Sequence, residues 1–574
     1  MKSKFKYNPR TTPLAGIKIL LFLSVFLNGY KGYALPPQPD KIFVHLDKSF
    51  YVSGEIIHYK VYFLNQENIE SKVVHVELVG ANDSIFLDQV NLISNNTANG
   101  KFKLPISFKE GNYAFRCYTA WNINFGYEYI FYKPIPIFNE SLTGNPVNQN
   151  IDYYKKDSLS FSINRKDHIV IEMKNDGPVY TGDSVSLEVG FKDNAATSFS
   201  VSVFDLNLVK PLELGDYANY LNDLNKGNDS EVEIKYSPEK SISVRGMVLE
   251  QVTNEPITSS VLSVFNLKEI SFTRIKSKDG HFSFELPLFK GSADLQIINM
   301  NPYQEKAPVV QTRAMISNIK NQPELSQVVE RSQKVLKYLY FSKLRRHIDE
   351  VFYQDQKDSL QLMSTQYLQF EPDKSYNMGK YRYIKNMEDF IRQAVPNATT
   401  YKEGDARKLK LYNTETKKYF MTKPWLLVDN YFVFDDSLVY NIPFNQIKRI
   451  DLFNTNKSIF EYFEPIMVQG GIIAVYTKNN FLAYHVGVSP NMLMINGLPP
   501  DDTENYNDNF TGAPNLEPII FWEPDLSNKN NSITHLAFKT SDITGSCMIQ
   551  VIGMDADGEL IEGKMVYQVS ERIE

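Results

Sequence analysis

The histidines and one acidic turn are the parts of this sequence that come closest to a metal-binding pattern. His45 and His58 are the nearest pair among the eight histidines, and they lack the spacing of a paired-histidine motif. We interpret both as residues on strand surfaces. Asp555, Asp557 and Gly558 supply part of a calcium-loop pattern, but such a loop needs further oxygen ligands and a distal glutamate. A hairpin turn is the prediction there, and no metal ligand is predicted.

The two cysteines, Cys117 and Cys547, lie far apart in segments with strand character. Cysteine is among the residue types most often buried, so two buried free thiols are predicted, with a disulfide between them left open. The sequence contains no nucleophile elbow and no Walker loop. It therefore predicts a protein that is not an enzyme, with no catalytic, cofactor-binding or metal residue and no cofactor.

Composition indicates a mainly β protein of several domains. A chain of 574 residues is expected to hold several cores, because single cores rarely grow past about 250–300 residues. Its 35 tyrosines and 37 phenylalanines favour strands over helices. The formal charge of −6, without a block of lysines and arginines, argues against nucleic acid as a partner.

The N-terminal segment has the layout of a secretory signal peptide. Lysines and Arg10 precede the apolar run Ile19 to Leu27, and small residues surround Tyr33. We predict a signal peptide at residues 1–34 and no transmembrane helix after its cleavage, because a run of nine residues, with Ser24 among them, is too short to span a bilayer. No cysteine near the cleavage site offers a lipid attachment point.

Residues 37–140 show the alternation of half-buried strands around a polar turn. The turn runs from Asp47 and Lys48 through Tyr51 to Gly54 and Glu55, and apolar residues follow it at every second position. These residues resemble the opening domain of the alpha-2-macroglobulin superfamily, with Ser53 where the proline usually stands. The resemblance implies a macroglobulin-like β-sandwich. The end of the domain, residues 111–126, is similar to macroglobulin-like envelope proteins of Bacteroidetes. Neither cysteine lies in the thioester motif with which macroglobulins trap proteases.

Three further β-sandwiches are predicted by strand alternation and turn residues. The first, at residues 150–239, echoes the polar turn at residues 179–183 and is interpreted as a second macroglobulin-like module. Residues 241–300, with turns at Asn254 and at Asp279–Gly280, resemble the carboxypeptidase-regulatory-like sandwich, which carries no catalytic groups. Residues 483–574 look like a C-terminal sandwich of the same Bacteroidetes proteins.

A helical connector and a plug-like domain are predicted between the third and fourth sandwiches. The connector covers residues 323–354, where Leu336, Leu339 and Val351 belong to an apolar pattern near helical spacing. Residues 365–480 predict a short helix stopped by Pro396 and three strands, the last after Gly470 and Gly471.

This order of elements resembles the small α+β plug domain of TonB-dependent outer-membrane receptors. Asn430 replaces the glycine that usually follows the aspartate of the plug pattern. Fewer than 100 residues follow Lys478 in this sequence, so we expect a plug-like domain without a receptor-sized barrel.

Together these resemblances imply a non-enzymatic, exported cell-envelope protein, periplasmic or associated with the outer membrane. It would be a binding or assembly module linked to TonB-dependent transport, with a protein partner for which a TonB-dependent barrel is one candidate. One alternative is a glycan- or nutrient-binding accessory, although Trp121 and Trp522 are interpreted first as core residues. Another is a protease-interacting macroglobulin-like protein without the thioester. The sequence does not predict the oligomeric state.

Overall fold

The computed structural model describes twenty parts of the chain, which together hold nearly all the predicted strands. They are residues 37–64, 69–81, 84–140, 168–175, 177–192, 198–212, 232–258, 261–266, 271–299, 308–312, 325, 331–352, 368, 370–404, 406–457, 469–478, 491–499, 513–528, 533–555 and 557–572. The predicted signal peptide at residues 1–34 lies outside these ranges. The fold is mainly β, as predicted, and its sheets pack in pairs around apolar cores.

The first sandwich is built from eight strands at the start of the described chain. They are β1 (Lys41–Leu46), β2 (Tyr51–Val52), β3 (Ile56–Leu64), β4 (Val73–Val79), β5 (Ile85–Leu92), β6 (Thr97–Lys103), β7 (Gly111–Tyr118) and β8 (Phe131–Phe138). The strand orders of its two sheets are β1-β3-β6 and β2-β8-β7-β4-β5. Tyr59, Val61 and Phe63 of β3 point into the core between them.

Residues 168–205 form four strands, which are β9 (Ile169–Met173), β10 (Val179–Tyr180), β11 (Ser184–Phe191) and β12 (Ser198–Asp205). All eight residues of β12 are buried, which marks it as a strand covered on both faces. Its two neighbours in the sheet come from the far end of the chain.

The third group of strands follows the sandwich predicted at residues 241–300 and continues beyond it. It comprises β13 (Ile242–Leu249), β14 (Val261–Asn266), β15 (Ser271–Lys276), β16 (His281–Leu286), β17 (Ser292–Asn299) and β18 (Val309–Thr312). Asp279 and Gly280 take positive φ angles of 51° and 77° between β15 and β16, which confirms the predicted turn.

Helix α1 (Gln333–Phe352) occupies most of the predicted connector. Of the predicted range 323–354, only residues 325 and 331–352 are described. Its buried residues are Val335, Tyr338, Leu339, Ser342 and Arg345, whereas Leu336 and Val351 are exposed. The predicted apolar face is therefore wrong in part. The buried side of the helix is partly polar, because its neighbours are ionised groups of the first sandwich.

The plug-like region consists of one mixed sheet, one small antiparallel sheet and two short helices. In chain order they are β19 (Lys374–Asn377), α2 (Met387–Ala394), β20 (Ala398–Glu403), β21 (Ala406–Asn413), β22 (Lys418–Tyr419), β23 (Trp425–Val428), β24 (Tyr431–Val433), α3 (Asp436–Asn441), β25 (Ile447–Phe453) and β26 (Ile472–Thr477). The mixed sheet has the order β19-β25-β26-β23-β24. Helix α2 ends before Pro396, as predicted, and buries Met387, Phe390 and Ile391.

Two glycines allow the backbone approach that the sequence predicts before β26. A Cβ on Gly470 would lie 1.9 Å from the carbonyl oxygen of Lys423. Gly471 has a φ of +77°, and a Cβ there would lie 2.8 Å from Leu411 Cδ1. Both positions therefore require glycine.

The C-terminal segment does not form a separate sandwich, which corrects the prediction for residues 483–574. Its first strand, β27 (Met492–Asn496), pairs with β17 and completes a sheet of the third sandwich. The others, β28 (Ile519–Leu526), β29 (Thr534–Lys539), β30 (Gly545–Met554) and β31 (Leu560–Ser570), join the strands of residues 168–205.

The sandwich predicted at residues 150–239 and most of the C-terminal segment are therefore one unit. Its sheets have the orders β10-β31-β30-β12-β28 and β29-β11-β9. Local alternation predicts that a segment is a strand, but it contains no information about a pairing partner more than 300 residues away. The separate boundaries were wrong for that reason.

Candidate functional site

The polar turn that resembles the macroglobulin motif is folded around the carboxylate of Asp47. Tyr51 Oη donates a hydrogen bond of 2.5 Å to Asp47 Oδ1, and the backbone N–H of His58 donates one of 3.1 Å to the same atom. Gly54 has a φ of +93°, which a glycine adopts without strain. Burial raises the pKa of Asp47 to about 6, although Lys48 beside it acts in the opposite direction.

Lys48 and Glu55 of this turn form a buried charge cluster with helix α1. Lys48 Nζ donates to Glu55 Oε2 at 2.8 Å and to Tyr338 Oη at 3.0 Å. Glu55 Oε1 accepts a hydrogen bond from Tyr338 Oη at 2.8 Å and another from Arg345 Nη2 at 2.7 Å. The turn therefore binds the helix through two cations, one carboxylate and one phenol.

The pKa of Glu55 shows that the cations outweigh the low polarity of the site. Burial alone would raise this pKa, but Lys48 and Arg345 hold it below its usual value. For Lys48, burial would lower the pKa, and Glu55 reverses that effect and raises it. Both groups are thus ionised at neutral pH, and the cluster is a buried ion-pair network.

A second set of contacts extends this docking surface along the helix. Arg346 Nη2 donates to the carbonyl oxygen of Ser53 at 3.1 Å, and Arg346 Nη1 lies 3.0 Å from Glu140 Oε2. Ser342 Oγ donates a short hydrogen bond to Glu140 Oε1. We name the set Lys48, Ser53, Glu55, Glu140, Tyr338, Ser342, Arg345 and Arg346 the helix-docking cluster.

The helix side of this cluster was missed by sequence reasoning, although a signal was present. Tyr338, Ser342 and Arg345 recur at helical spacing, so a polar stripe could have been read as a buried face. The stripe was not interpreted as a buried face, because polar residues on a helix usually face water.

His45 and Ser200 have the outline of a base and a nucleophile. His45 Nδ1 and Ser200 Oγ share a hydrogen bond of 2.8 Å, and both residues are buried. Burial is the main cause that lowers the pKa of His45 to about 3, so its ring is neutral and weakly basic. Ser200 also contacts Tyr62 Oη at 2.8 Å. This geometry joins two sandwiches.

Lys60 completes that interface between the first and second sandwiches. Its ammonium donates to Ser198 Oγ at 2.6 Å and to the carbonyl oxygen of Phe199 at 3.0 Å. Burial lowers the pKa of Lys60 to about 7. His58 is also buried, and the ring of His45 lies 4.9 Å from that of Trp522. The prediction that His45 and His58 lie on strand surfaces is therefore wrong, because the outer face of the first sandwich is covered.

The plug-like sheet is attached to the third sandwich by Gln296, whose side-chain amide forms two hydrogen bonds with the backbone of an edge strand. Gln296 Nε2 donates to the carbonyl oxygen of Phe432 at 2.8 Å, and Gln296 Oε1 accepts from the backbone N–H of Phe432 at 2.7 Å. Phe265 packs edge to face on Phe432 with 5.2 Å between ring centroids. Phe432 belongs to the edge strand β24, so the sandwich covers this edge of the sheet.

The remaining residues singled out in the sequence lie in structural positions. Cys117 and Cys547 are both free and buried, which confirms the prediction of two buried thiols. Trp522 is 5% exposed and belongs to an apolar core, so it offers no surface to a glycan. Trp121 is half-buried, with its ring 5.4 Å from that of Phe125.

The described residues contain neither a metal-type cluster nor a membrane-spanning helix. No group of three or more histidine, cysteine, aspartate or glutamate side chains in these parts of the chain could hold a metal ion. Within the same residues, no helix combines the length and apolar character that crossing a membrane requires.

Comparisons with known proteins return only distant structural matches. No family model and no curated protein matches this sequence. Escherichia coli alpha-2-macroglobulin activated by porcine elastase is 8% identical with a TM-score of 0.24, and the match covers 93% of this chain and 44% of that one. Salmonella alpha-2-macroglobulin reacted with methylamine is 10% identical with a TM-score of 0.24, with 93% and 40% covered.

A Yersinia pseudotuberculosis adhesin is 11% identical with a TM-score of 0.13, and the match covers 47% of this chain and 57% of that one. The match covers 44% and 40% of the two macroglobulins, so this chain spans less than half of their length. Matches at these TM-scores do not place the chain in a family, and the sandwich architecture rests on its own sheets and cores.

Proposed function

We propose that this chain is a non-enzymatic, exported cell-envelope protein that binds a protein partner. In this proposal the β-sandwiches form a scaffold and the plug-like region presents the binding surface. A TonB-dependent barrel or its lipoprotein partner is the proposed partner, which makes the chain an assembly module of outer-membrane transport. The macroglobulin-like, carboxypeptidase-regulatory-like and plug-like resemblances of the sequence are the basis for this choice of compartment and partner.

The observation that supports a scaffold role most strongly is the use of buried polar groups. The helix-docking cluster joins α1 to the first sandwich, His45 and Lys60 join the first sandwich to the second, and Gln296 joins the third to the plug-like sheet. In each of these three contacts the polar groups are hydrogen-bonded to neighbouring elements of the same chain. Such contacts fix the elements relative to one another, and a preorganised surface binds a partner with little loss of conformational entropy.

In-cell crosslinking of the tagged protein tests this proposal. Outer-membrane fractionation and mass spectrometry would follow, with an exported sandwich protein of unrelated sequence as the control. We expect covalent adducts with a TonB-dependent barrel or its lipoprotein partner in the outer-membrane fraction. Recovery as a soluble periplasmic protein with neither of these attached would contradict the proposed partner, and turnover of a substrate by homogeneous protein would contradict the non-enzymatic role.

A further inference from the structure

The small sheet β20-β21-β22 of the plug-like region has one buried face and one exposed face. Leu409 and Leu411 of β21 are 1% and 0% exposed and belong to the core beneath α2. Side chains alternate along a strand, so Lys408, Lys410 and Tyr412 lie on the opposite, outer face. The strand register places Tyr401 of β20 opposite Lys408.

A second tyrosine extends this outer face across the third strand. Tyr419 of β22 lies opposite Tyr412, and their rings meet edge to face at 5.3 Å. We name Tyr401, Lys408, Lys410, Tyr412 and Tyr419 the tyrosine–lysine face. Along β21, Lys408 is level with Tyr401, Lys410 follows it, and Tyr412 is level with Tyr419.

The tyrosine–lysine face is partly open to solvent. Tyr401 is 40% exposed and Tyr419 is 50% exposed. Lys408 and Lys410 are half-buried, and their ammonium groups form no ion pair or hydrogen bond with the described residues. Because the two lysines are two residues apart on one strand, their Cα atoms are separated by about 6.6 Å.

We propose that the tyrosine–lysine face binds an anionic polysaccharide. The apolar C–H face of a sugar ring packs on an exposed tyrosine ring, and the ring hydroxyls remain in water, where the tyrosine hydroxyl also lies. Carboxylate or sulfate groups carried by neighbouring sugars would accept hydrogen bonds from Lys408 and Lys410. The buried leucines beneath keep the sheet rigid, so the surface is formed before the ligand arrives.

The tyrosines favour a polysaccharide over an acidic peptide. Single-stranded nucleic acid would use both the lysines and the tyrosines, and the experiment below separates it from a polysaccharide. An acidic peptide would use the lysines but would leave the exposed tyrosine rings without a role. The tyrosines therefore separate the proposal from a simple charge patch.

Binding of sodium polygalacturonate to the full chain, measured by isothermal titration calorimetry, tests the inference. We expect K408Q/K410Q and Y401A/Y419A each to weaken binding by about tenfold or more, the first also reducing its dependence on salt. The matched control is K276Q/K278Q, which removes two exposed lysines at the same spacing in the third sandwich and should leave affinity unchanged. Circular dichroism would establish that each variant is folded.

Three outcomes would overturn the inference. The first is the absence of polygalacturonate binding by the parent protein under low salt. The second is binding of single-stranded DNA or poly-glutamate as tight as that of polygalacturonate. The third is full affinity in the Y401A/Y419A variant, which would show that the tyrosines do not contribute to binding. None of these results bears on protein capture in the envelope, so the inference and the proposed function can fail separately.

Discussion

At the scale of single residues, Glu55 is the centre of the contacts that hold helix α1. Its side chain is 15% exposed and accepts charge-assisted hydrogen bonds from Lys48 and Arg345. A buried ion pair contributes little relative to an apolar pair of the same shape, but removal of one partner leaves an uncompensated charge. Glu55 has two such partners, so removal of its charge should lower the free energy of unfolding.

The variant E55Q is expected to lower the free energy of unfolding by about 3–5 kcal/mol, because two buried cations lose their carboxylate. Urea unfolding followed by circular dichroism would measure this change. Glu371 is exposed, and E371Q should change stability by less than about 0.5 kcal/mol. A stability of E55Q equal to that of E371Q would contradict a structural role for the cluster.

His45 gives the interface between the first and second sandwiches a defined pH dependence. Burial lowers its folded-state pKa from 6.5 to about 3, and that of His58 falls by the same amount. A lowered pKa means that the unfolded state takes up the proton first. Stability is therefore present above pH 6.5 and is lost as pH falls from 6.5 toward 3. Lys60, which faces the same interface, has its pKa near 7 and is already protonated in this window.

The variant H45Q should reduce the loss of stability at acid pH, because glutamine cannot take up a proton and can still hydrogen-bond to Ser200. Between pH 6 and pH 4 the slope of unfolding free energy against pH should fall by about one proton, or about 1.4 kcal/mol per pH unit. Urea titrations at several pH values would measure both slopes. Equal slopes for the parent and H45Q would show that His45 protonates in the folded state.

At the scale of elements, the plug-like sheet depends on backbone conformations that few side chains permit. Asp429 and Asn430 connect β23 to β24 with φ angles of 50° and 72°, which is the geometry of a two-residue hairpin loop. Asn430 thus occupies the left-handed position where glycine was expected, since asparagine tolerates it. Asp429 Oδ2 also accepts a 2.6 Å hydrogen bond from Thr477 Oγ1 and so links the loop to β26.

The variant G470A is expected to destabilise the protein by about 2–3 kcal/mol, because its Cβ would overlap the Lys423 carbonyl. Thermal or urea unfolding would measure the loss. Gly190 provides the control, since a Cβ there would meet only Ile533 Cγ1 at 3.9 Å and G190A should be tolerated. Equal stability of the two variants would contradict the close approach at Gly470.

Much of this element-level detail could be predicted from the sequence, because it is encoded locally. Alternation predicted β3, Pro396 predicted the end of α2, and the glycine pair predicted the close approach before β26. The partners of these elements could not be predicted in the same way. Glu55 and Arg345 form a hydrogen bond although 290 positions separate them in the sequence, and no local pattern near either residue predicts that contact.

At the scale of the whole molecule, the second sandwich is assembled from two distant parts of the chain. Strand β12 pairs with both β28 and β30, so residues 198–205 lie between C-terminal strands. Its core likewise combines Val201 and Val203 with Ile549 and Val551. The two segments should therefore gain and lose structure together, as one cooperative unit.

The variant I549A tests this cooperativity, because it creates a cavity in the shared core and should cost about 2–4 kcal/mol. Native-state hydrogen exchange with mass spectrometry should show reduced protection in residues 184–205 as well as in residues 519–570. L295A, in the core of the third sandwich, is the control and should affect β13 to β18 first. Loss of protection confined to residues 519–570 would contradict cooperativity and would support a separate C-terminal sandwich.

Photo-crosslinking from single positions in living cells tests most directly whether the plug-like region contacts an envelope partner. Tyr383 and Met421 in that region are 71% and 95% exposed, and Val252 in the third sandwich is 64% exposed, so a photoreactive residue is accommodated at each. We predict adducts with a TonB-dependent barrel or its lipoprotein partner from positions 383 and 421 and none from position 252. Equal adducts from all three positions, or adducts from position 252 alone, would contradict it.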